Sequence, residues 1–367
     1  MTTANSIAPT QRQFPCSKCG ANLQFAPGTD CLKCPYCGTE NRIGGVPAHI
    51  PELDYQAYLQ GLPADESVHE TLTVKCVNCA AESTFAPDVT AGLCPFCGSG
   101  IIATGTSKKS IRPQALLPFK VARDQAAQLF RQWVASLWFA PNALRSCAQR
   151  SCINGAYVPA WTYDSVTETD YAGERGEDYW ETETYTETDA EGNTVTRTRQ
   201  VQKTRWWPAS GHVSNAFDDV LVMATQTLPR KQLNRLEPWD LPQLVAYGDE
   251  YLSGFVAESY QVNLPDGFER AKQIMNPVIE RSICADIGGD HQRIISANTT
   301  YNNITFKHLL LPVWLSAYQF QNKTYRFLVN ARTGEVQGER PWSWVKIMLL
   351  IMTIVVIAVV IGLLVSR

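Results

Sequence analysis

The sequence predicts two small zinc ribbons, then a β-rich α+β domain, and one transmembrane helix at the C-terminal end. Three observations support this fold class: a repeated pattern of paired cysteines, a charge-free apolar run near the end, and strand-like and helix-like periodicity between them. The expected divisions are a disordered N-terminus over 1–13, a first ribbon over 14–45, a linker over 46–68, a second ribbon over 69–106, an α+β domain over 107–340 and a membrane anchor over 341–367.

Charge and cysteine placement narrow the function classes. The 367 residues include 32 Lys and Arg against 35 Asp and Glu, so the formal net charge is −3 and the chain as a whole is not a polycation. Nine of the 12 cysteines precede residue 100. The polar start, residues 1–13, has no apolar core of a secretory signal, so a disulfide framework is not expected. Paired cysteines in a reducing compartment favour metal binding.

Eight cysteines form two copies of one pattern, in which two Cys-x-x-Cys pairs are separated by fourteen residues. The eight predicted metal ligands are Cys16, Cys19, Cys34, Cys37, Cys76, Cys79, Cys94 and Cys97. The two copies lie sixty residues apart, and Phe25-Ala26-Pro27 of the first recurs as Phe85-Ala86-Pro87 in the second. This repetition indicates an internal duplication.

The spacing has a chemical reason. Each pair can form a tight turn whose N–H groups point at the thiolates, and Gly38 or Gly98 after the second pair tolerates a positive φ. A short hairpin then turns the second pair to face the first, and four thiolates complete a tetrahedron around Zn²⁺. Two structural zinc ions are therefore expected. A thioredoxin-like redox pair, the alternative, needs a helix start after a βα unit, and neither copy has that context.

Cys31 complicates the first site because Cys31, Cys34 and Cys37 are equally spaced. It could compete for the metal. The second copy has Ala91 at the matching position, which favours Cys31 as a bystander.

The charge of the ribbons does not favour nucleic acid as the partner. Residues 12–45 carry four basic and two acidic side chains, a net +2, and residues 69–106 carry one basic and three acidic, a net −2. A zinc ion with four thiolates adds about −2 to each. Nucleic-acid modules present a basic stripe, because phosphate contacts supply most of their affinity. The charges favour protein binding, or a purely structural role of the ribbons, over nucleic-acid binding.

The middle of the chain predicts mixed strands and helices. The run Leu310-Leu311-Pro312-Val313-Trp314 repeats the pattern of Val158-Pro159-Ala160-Trp161, which suggests a second duplication with strand, helix and strand in each half. The other predicted elements are a strand over 115–119, a helix from Asp124 to about Trp138, a long hairpin over 179–206 with acidic and basic strands, a helix over 265–282, and a final hairpin turning at 330–334.

The C-terminal apolar run, Ile347 to Val365, has nineteen residues without a charge. At about 1.5 Å per residue it spans roughly 28 Å, the thickness of the bilayer hydrocarbon. Trp342 and Trp344 precede it as interfacial anchors do. Arg332, Arg340 and Lys346 lie on its N-terminal side, and the positive-inside rule places that side in the cytoplasm. The expected location is a single-pass anchor in the cytoplasmic membrane, with the bulk of the chain in the cytoplasm.

Motifs for catalysis are not found. The sequence has no phosphate loop, dinucleotide glycine fingerprint, HExxH or nucleophile elbow. The five histidines have no metal-ligand partner at helical spacing: His49, His69, His212, His291 and His308. No catalytic residue, organic cofactor or small-molecule substrate is predicted.

The chain resembles bacterial membrane proteins with tandem zinc ribbons, often labelled primosomal-helicase-like or as carrying a transcription-factor-type zinc ribbon. The matching runs are CSKCGANLQF at 16–25, CPYCG at 34–38, CPFCG at 94–98, LLPFK at 116–120, YVPAW at 157–161 and LLPVW onward at 310–344. The helicase label follows from the ribbons alone, since this chain has no nucleotide-binding motif.

The resemblance implies a non-enzymatic, membrane-tethered adaptor that recruits protein partners to the cytoplasmic face of the membrane. It implies partners of the flotillin-like and phage-shock type, which act in membrane stress, and the eight cysteines match the family's ligand pattern. The alternative is a membrane-bound regulatory protein that binds nucleic acid through its ribbons. Such a protein would bind with an affinity that falls steeply with salt.

Overall fold

The computed structural model of the chain describes residues 14–44, 50–61, 68–78, 81–84, 91–94, 96, 99–102, 106–141, 153–188, 193–320 and 323–365. The expectations for residues 1–13, for residues 189–192 within the predicted hairpin over 179–206 and for His49 concern positions outside these ranges. The described helices are α1 (Tyr55–Leu59), α2 (Arg123–Ser136), α3 (Arg230–Asn234), α4 (Leu264–Ile287) and α5 (Trp344–Val365).

Seventeen strands are described. Those of the N-terminal third are β1 (Gln24–Phe25), β2 (Cys31–Lys33), β3 (Glu40–Arg42), β4 (Leu53–Asp54), β5 (Val68–Lys75), β6 (Glu82–Thr84), β7 (Ala91–Leu93), β8 (Gly100–Ile102) and β9 (Thr106–Ile111). Those that follow are β10 (Ala115–Leu116), β11 (Asn154–Thr188), β12 (Thr194–Met223), β13 (Val245–Ala246), β14 (Val256–Glu258), β15 (His291–Phe320), β16 (Lys323–Asn330) and β17 (Val336–Gly338).

Most of these strands belong to one large sheet. Its main path runs β13-β10-β15-β11-β14-β6-β5-β9, with β12 beside β11, and with β4 and the β16–β17 hairpin beside β15. The long antiparallel pair of β11 and β15 lies at the centre, from Asn154 opposite Leu315 to Gly176 opposite His291. Buried side chains on both faces of its first half, among them Tyr157, form the core. The chain is therefore organised around two strands.

Two units with the same order of elements cross at this central pair. One is β10-α2-β11 and the other is β14-α4-β15, and each short strand lies parallel to the long strand of the other unit. The indole N–H of Trp161 donates to the carbonyl oxygen of Val262, immediately before the N-cap of α4, at 2.9 Å. The indole N–H of Trp314 donates to Val121, immediately before the N-cap of α2, also at 2.9 Å. Each unit thus fixes the start of the other unit's helix.

Helix α4 covers one face of the outer half of the sheet. Its buried residues recur at helical spacing, from Phe268 through Met275 to Ile283, and they face alternate, buried positions of β11 such as Thr167. The Asn263 side chain caps its first turn by accepting the N–H of Asp266 at 2.8 Å. The intervening positions of β11 face solvent, as in a one-sided antiparallel sheet. The helix extends five residues beyond the predicted end at 282.

Beyond Gly176, β11 and β12 continue as a two-stranded hairpin without β15. Twelve further residues of β11 extend it by about 40 Å. The predicted charge pairs cross this hairpin: Arg199 contacts Glu183 at 3.2 Å, and Lys203 contacts Glu181 at 2.8 Å. These pairs are solvent-exposed, so each stabilises the hairpin only slightly.

The C-terminal helix α5 follows directly after the β16–β17 hairpin. An 18-residue window within Trp344–Leu364 has a mean hydropathy of 3.3, and none of that window is buried by the rest of the protein. A core helix of a soluble protein would be covered. The helix is long and apolar enough to cross a membrane.

The crossed tryptophan bonds generate a stability prediction. Trp161→Phe or Trp314→Phe leaves a buried carbonyl oxygen without its donor and a small cavity, so each should lower the free energy of unfolding by about 2 kcal/mol. Urea unfolding of the detergent-solubilised protein measures this. Trp180→Phe, at a side chain 66% exposed on the hairpin, is the matched control and should change nothing. Equal effects of all three substitutions would refute the assignment.

Candidate metal centre

The first cysteine module, residues 14–44, contains two turns of the same geometry. They span Cys16–Ala21 and Cys34–Thr39, and in each the N–H of the first residue donates to the carbonyl oxygen of the last, at 2.7 Å and 2.9 Å. The N–H groups of Gly20 and Gly38 donate back to the cysteine carbonyls at 2.9 Å and 3.1 Å. Both glycines have positive φ, +75° and +73°. A side chain at either position would be strained, which explains Cys-x-x-Cys-Gly.

The two turns face each other across the β1–β2–β3 hairpin sheet and bring four sulfur atoms together. The Sγ atoms of Cys16, Cys19, Cys34 and Cys37 all lie within 4.8 Å of one another. Two of the separations are 3.6 Å, between Cys16 and Cys37, and 3.5 Å, between Cys19 and Cys34. Sulfurs bound tetrahedrally at about 2.3 Å from a zinc ion would be about 3.8 Å apart. The cluster therefore has the dimensions of a four-thiolate metal site.

Hydrogen bonds around the cluster favour thiolate at one ligand and oppose it at another. The hydroxyl and the backbone N–H of Thr39 lower the pKa of Cys37 to about 6. The backbone N–H of Ala21 acts to lower the pKa of Cys19, but the two sulfurs of the facing turn outweigh it and raise that pKa to about 12. Adjacent thiols cannot all ionise without a cation between them. Bound metal supplies the positive charge that resolves this conflict.

Cys31 lies outside the cluster. It is on β2, opposite Arg42 of β3, and its thiol contacts the carboxylate of Asp30 at 3.3 Å. Burial, followed by the hydrogen bond to Asp30, raises the pKa of Cys31. The geometry thus leaves a set of four ligands in the first module.

The first module is fixed to the large domain and is not a free appendage. The N–H of Phe25 donates to Ser253 at 2.9 Å, and the N–H of Gly28 donates to Phe119 at 2.8 Å. The Phe25 ring lies 5.2 Å from that of Tyr251. These contacts merge the module's small core with that of the domain.

The second cysteine module repeats the backbone signature of the first. The N–H of Cys76 donates to the carbonyl of Ala81 at 2.9 Å, and that of Cys94 donates to Ser99 at 2.8 Å, again five residues apart. Both cysteines are buried. Cys79 and Cys97 lie outside the described residues. Of the eight predicted ligands, four are brought together in one cluster and two more occupy the equivalent turns.

The modules differ in which aromatic side chain they expose. Tyr36, between Cys34 and Cys37, is 84% exposed, whereas Phe96, at the matching position of the second module, is 2% exposed. Phe96 packs with the core of the large sheet. The second module thus packs Phe96 into the core of the domain, whereas the first leaves Tyr36 in solvent.

A second group of potential ligands, Asp164, Asp218 and Asp219, was not predicted from the sequence. It surrounds Lys307, whose buried ammonium contacts Asp219 at 2.8 Å and Glu52 at 2.9 Å. A lysine within this acidic group supplies the positive charge that a cation would supply. The hydrogen bond from Lys307 lowers the pKa of Glu52. We interpret the group as an ion-pair network that holds the segment before β4 against β15.

Glu258 is a buried carboxylate that sequence reasoning also missed. It is 2% exposed, and its Oε1 accepts hydrogen bonds from the hydroxyls of Thr225, at 2.9 Å, and Thr227. Its Oε2 has no hydrogen-bond partner among the described residues. Burial raises the pKa of Glu258 to about 7. With its carboxylate buried against Thr225 and Thr227, Glu258 has no surface for a substrate, so the shift is a property of the core.

Three histidines have described side-chain contacts, and none of the three belongs to either group of potential metal ligands. His212 pairs with Asp170 at 2.8 Å and His291 with Asp178 at 3.1 Å, both at the surface. His308 is buried, with its Nδ1 2.9 Å from the carbonyl oxygen of Ile111.

Metal content provides the first test of the site. Cys16→Ser should remove one bound zinc ion per chain and unfold the first module, because binding and folding of such a small module are one equilibrium. Cys31→Ser, a change of the same chemistry outside the cluster, should leave the metal content unchanged. Elemental analysis of the purified protein measures both. Equal metal in wild type and Cys16→Ser would overturn the ligand set.

Glu258 should make the free energy of unfolding depend on pH. The unfolded chain releases this proton near pH 4.5 and the folded chain near pH 7, so stability should fall as pH rises between these values, by about 3 kcal/mol at most. In Glu258→Gln this decrease should disappear from urea unfolding measured from pH 5 to pH 8. Glu335→Gln is the exposed control. A decrease of the same size in Glu258→Gln would show that other groups cause it.

Comparison with known proteins gives one relative and no assignment. No family model matches the chain, and no solved structure matches it. The chain is similar to a protein of Bacillus subtilis strain 168 described as uncharacterized protein YdjG, with 24% identity over 337 residues and 91% of each chain covered. The likeness therefore extends from the cysteine modules to the C-terminal region.

Proposed function

We propose that this chain is a non-enzymatic adaptor that is tethered to the membrane by α5 and recruits protein partners through its zinc ribbons. Its cysteine modules each bind one structural zinc ion, and its β-rich domain is the platform that holds them. The single observation that carries the proposal is the exposed aromatic Tyr36, which projects from the metal site of a module otherwise fixed to the domain.

The metal sites support a structural role. In the first cluster four cysteine sulfurs lie within 4.8 Å of one another, enough to fill all four tetrahedral positions of a zinc ion and leave none for a water molecule or a substrate. Catalytic zinc sites retain such an open position. The repeated turns at Cys76 and Cys94 support a second zinc ion of the same kind, completed by Cys79 and Cys97.

Tyr36 suits a docking contact. A tyrosine that is 84% exposed costs hydration free energy that burial in a partner would recover, and tyrosine is enriched among residues that dominate protein interfaces. The metal holds its turn rigid, so little conformational entropy is lost on binding. Phe96 is buried, so we assign the first ribbon to docking and the second to stabilising the β-rich domain.

The orientation follows from thiol chemistry and charge. A reducing compartment favours cysteine thiols that are available to bind zinc, because disulfides rarely persist there. Arg340 and Lys346 lie on the N-terminal side of α5, as the positive-inside rule expects of a cytoplasmic side. The modules and the domain therefore lie in the cytoplasm, beside the membrane. Flotillin-like or phage-shock-type membrane proteins, implied by the family resemblance, are the partners we propose.

Nucleic acid is a weaker candidate because the charge of the ribbons, counted from the sequence, and the described part of the projecting hairpin are not strongly basic. On the projecting hairpin, residues 177–205, four basic side chains accompany five acidic ones among the described residues, a net charge of −1. Arg199 and Lys203 are already paired with glutamates. Few phosphate contacts remain available to such a surface.

The docking proposal is tested by affinity capture from detergent-solubilised membranes. Tyr36→Ala should reduce recovery of membrane-protein partners at least tenfold while zinc content stays at the wild-type value, because the side chain lies outside the metal cluster. Val77→Ala, an exposed apolar change on the second module, is the matched control. Partners should survive nuclease treatment.

Two outcomes would contradict this assignment. Equal recovery with Tyr36→Ala and wild type would exclude Tyr36 as the contact. Recovery of nucleic acid and its binding proteins, lost after nuclease, would favour the regulatory alternative.

A further inference from the structure

Three of the most exposed tryptophans lie close together, although one is distant in the sequence. Trp342 and Trp344, at the start of α5, are 53% and 75% exposed. Trp138, in the loop after α2 and some two hundred residues earlier, is 78% exposed. Exposed tryptophans on a soluble surface are unusual, because each leaves a large apolar ring in water.

The loop that carries Trp138 is bonded to the first turn of α5. The ammonium of Lys346 donates to the carbonyl oxygens of Trp138, at 3.1 Å, and Ala140, at 2.8 Å. The N–H of Ser343 donates to Phe139 at 2.7 Å. Phe139 also contacts Trp342, with ring centroids 6.3 Å apart. The loop and the helix start therefore form one surface.

This surface lies at the level where a membrane interface would be. If the charge-free run from Ile347 fills the hydrocarbon, Lys346 marks its edge, and the interfacial layer extends about 5–7 Å outward. Hydrogen bonds from Lys346 place the Trp138 backbone at that edge. Arg340 lies over the Trp342 ring at 4.5 Å, a polar and aromatic pairing suited to headgroups. Tryptophan is enriched in this layer because its ring is apolar and its N–H is polar.

We propose that the first residues after α2, 137–141, form a second membrane contact, with Trp138 inserted in the interfacial layer of the leaflet that α5 enters. This inference rests on the proposed anchoring by α5 and adds the lipid interface as a partner of the folded domain itself. The consequence is orientation. A domain held only by a helix can rotate on its tether, whereas a domain with two contacts holds its docking surface at a fixed angle to the bilayer.

The test uses the full chain reconstituted in vesicles of phosphatidylcholine with phosphatidylglycerol, with and without bromine on the acyl chains near the headgroups. Bromine quenches only tryptophans that contact it. Trp138→Phe should lose about a third of the quenchable fluorescence if three interfacial tryptophans contribute equally. Trp180 is also exposed but lies on the hairpin. Trp180→Phe should therefore remove only fluorescence that bromine does not quench.

A second variant tests the geometry. Lys346→Met removes the two hydrogen bonds that the ammonium donates to the loop, while the bond from Ser343 remains and the helix stays apolar. The part of the quenching that depends on Trp138 should therefore fall in this background without disappearing. If Trp138→Phe loses only unquenchable fluorescence, the inference is wrong. Flotation separates this from failure of the anchor: wild type that does not float with vesicles would overturn the anchoring proposal and this inference together.

Discussion

The antiparallel pair of β11 and β15 is the constraint on which the rest of the structure depends. Both strands are central, both receive the short parallel strand of the opposite unit, and each carries a tryptophan that bonds to the residue before the other unit's helix. Neither unit can therefore complete its core alone. Helix α4 packs against the outer part of both strands, β11 alone continues with β12 into the projecting hairpin, and β15 returns through β16 and β17 to the membrane helix.

The cysteine modules use this platform in different ways. The first is bonded to it by Phe25 and Gly28 and leaves Tyr36 in solvent, while the second buries Phe96 in the sheet's core. A duplicated pair of modules thus has two separate tasks in the proposed account, docking and stapling. In that account both tasks depend on metal, because the turns of each module are held by thiolates that a bound ion keeps charged.

Local patterns predicted much of this, and long-range pairing explains what they missed. The cysteine spacing identified the four cysteines of the first cluster, and the periodic apolar residues of α2, a helix over most of α4 and the uncovered apolar run of α5 were predicted from the sequence. The crossing of the two units was not, because the register of strands 150 residues apart has no local signal. Glu258 and the group around Lys307 depend on that register, so no pattern in the sequence identifies them. Adjacent Asp218 and Asp219 were the one visible hint.

The central claim is that cysteine sulfurs occupy every coordination position of the metal and that the bound metal stabilises the fold of each module. X-ray absorption at the zinc edge tests it most directly, because it counts ligand atoms around the ion. The account predicts four sulfur ligands per zinc ion at about 2.3 Å, without oxygen or nitrogen. A coordination shell that contains oxygen or nitrogen would contradict the four-cysteine site, and an oxygen from bound water would mean an open position and contradict the non-enzymatic adaptor built on that site.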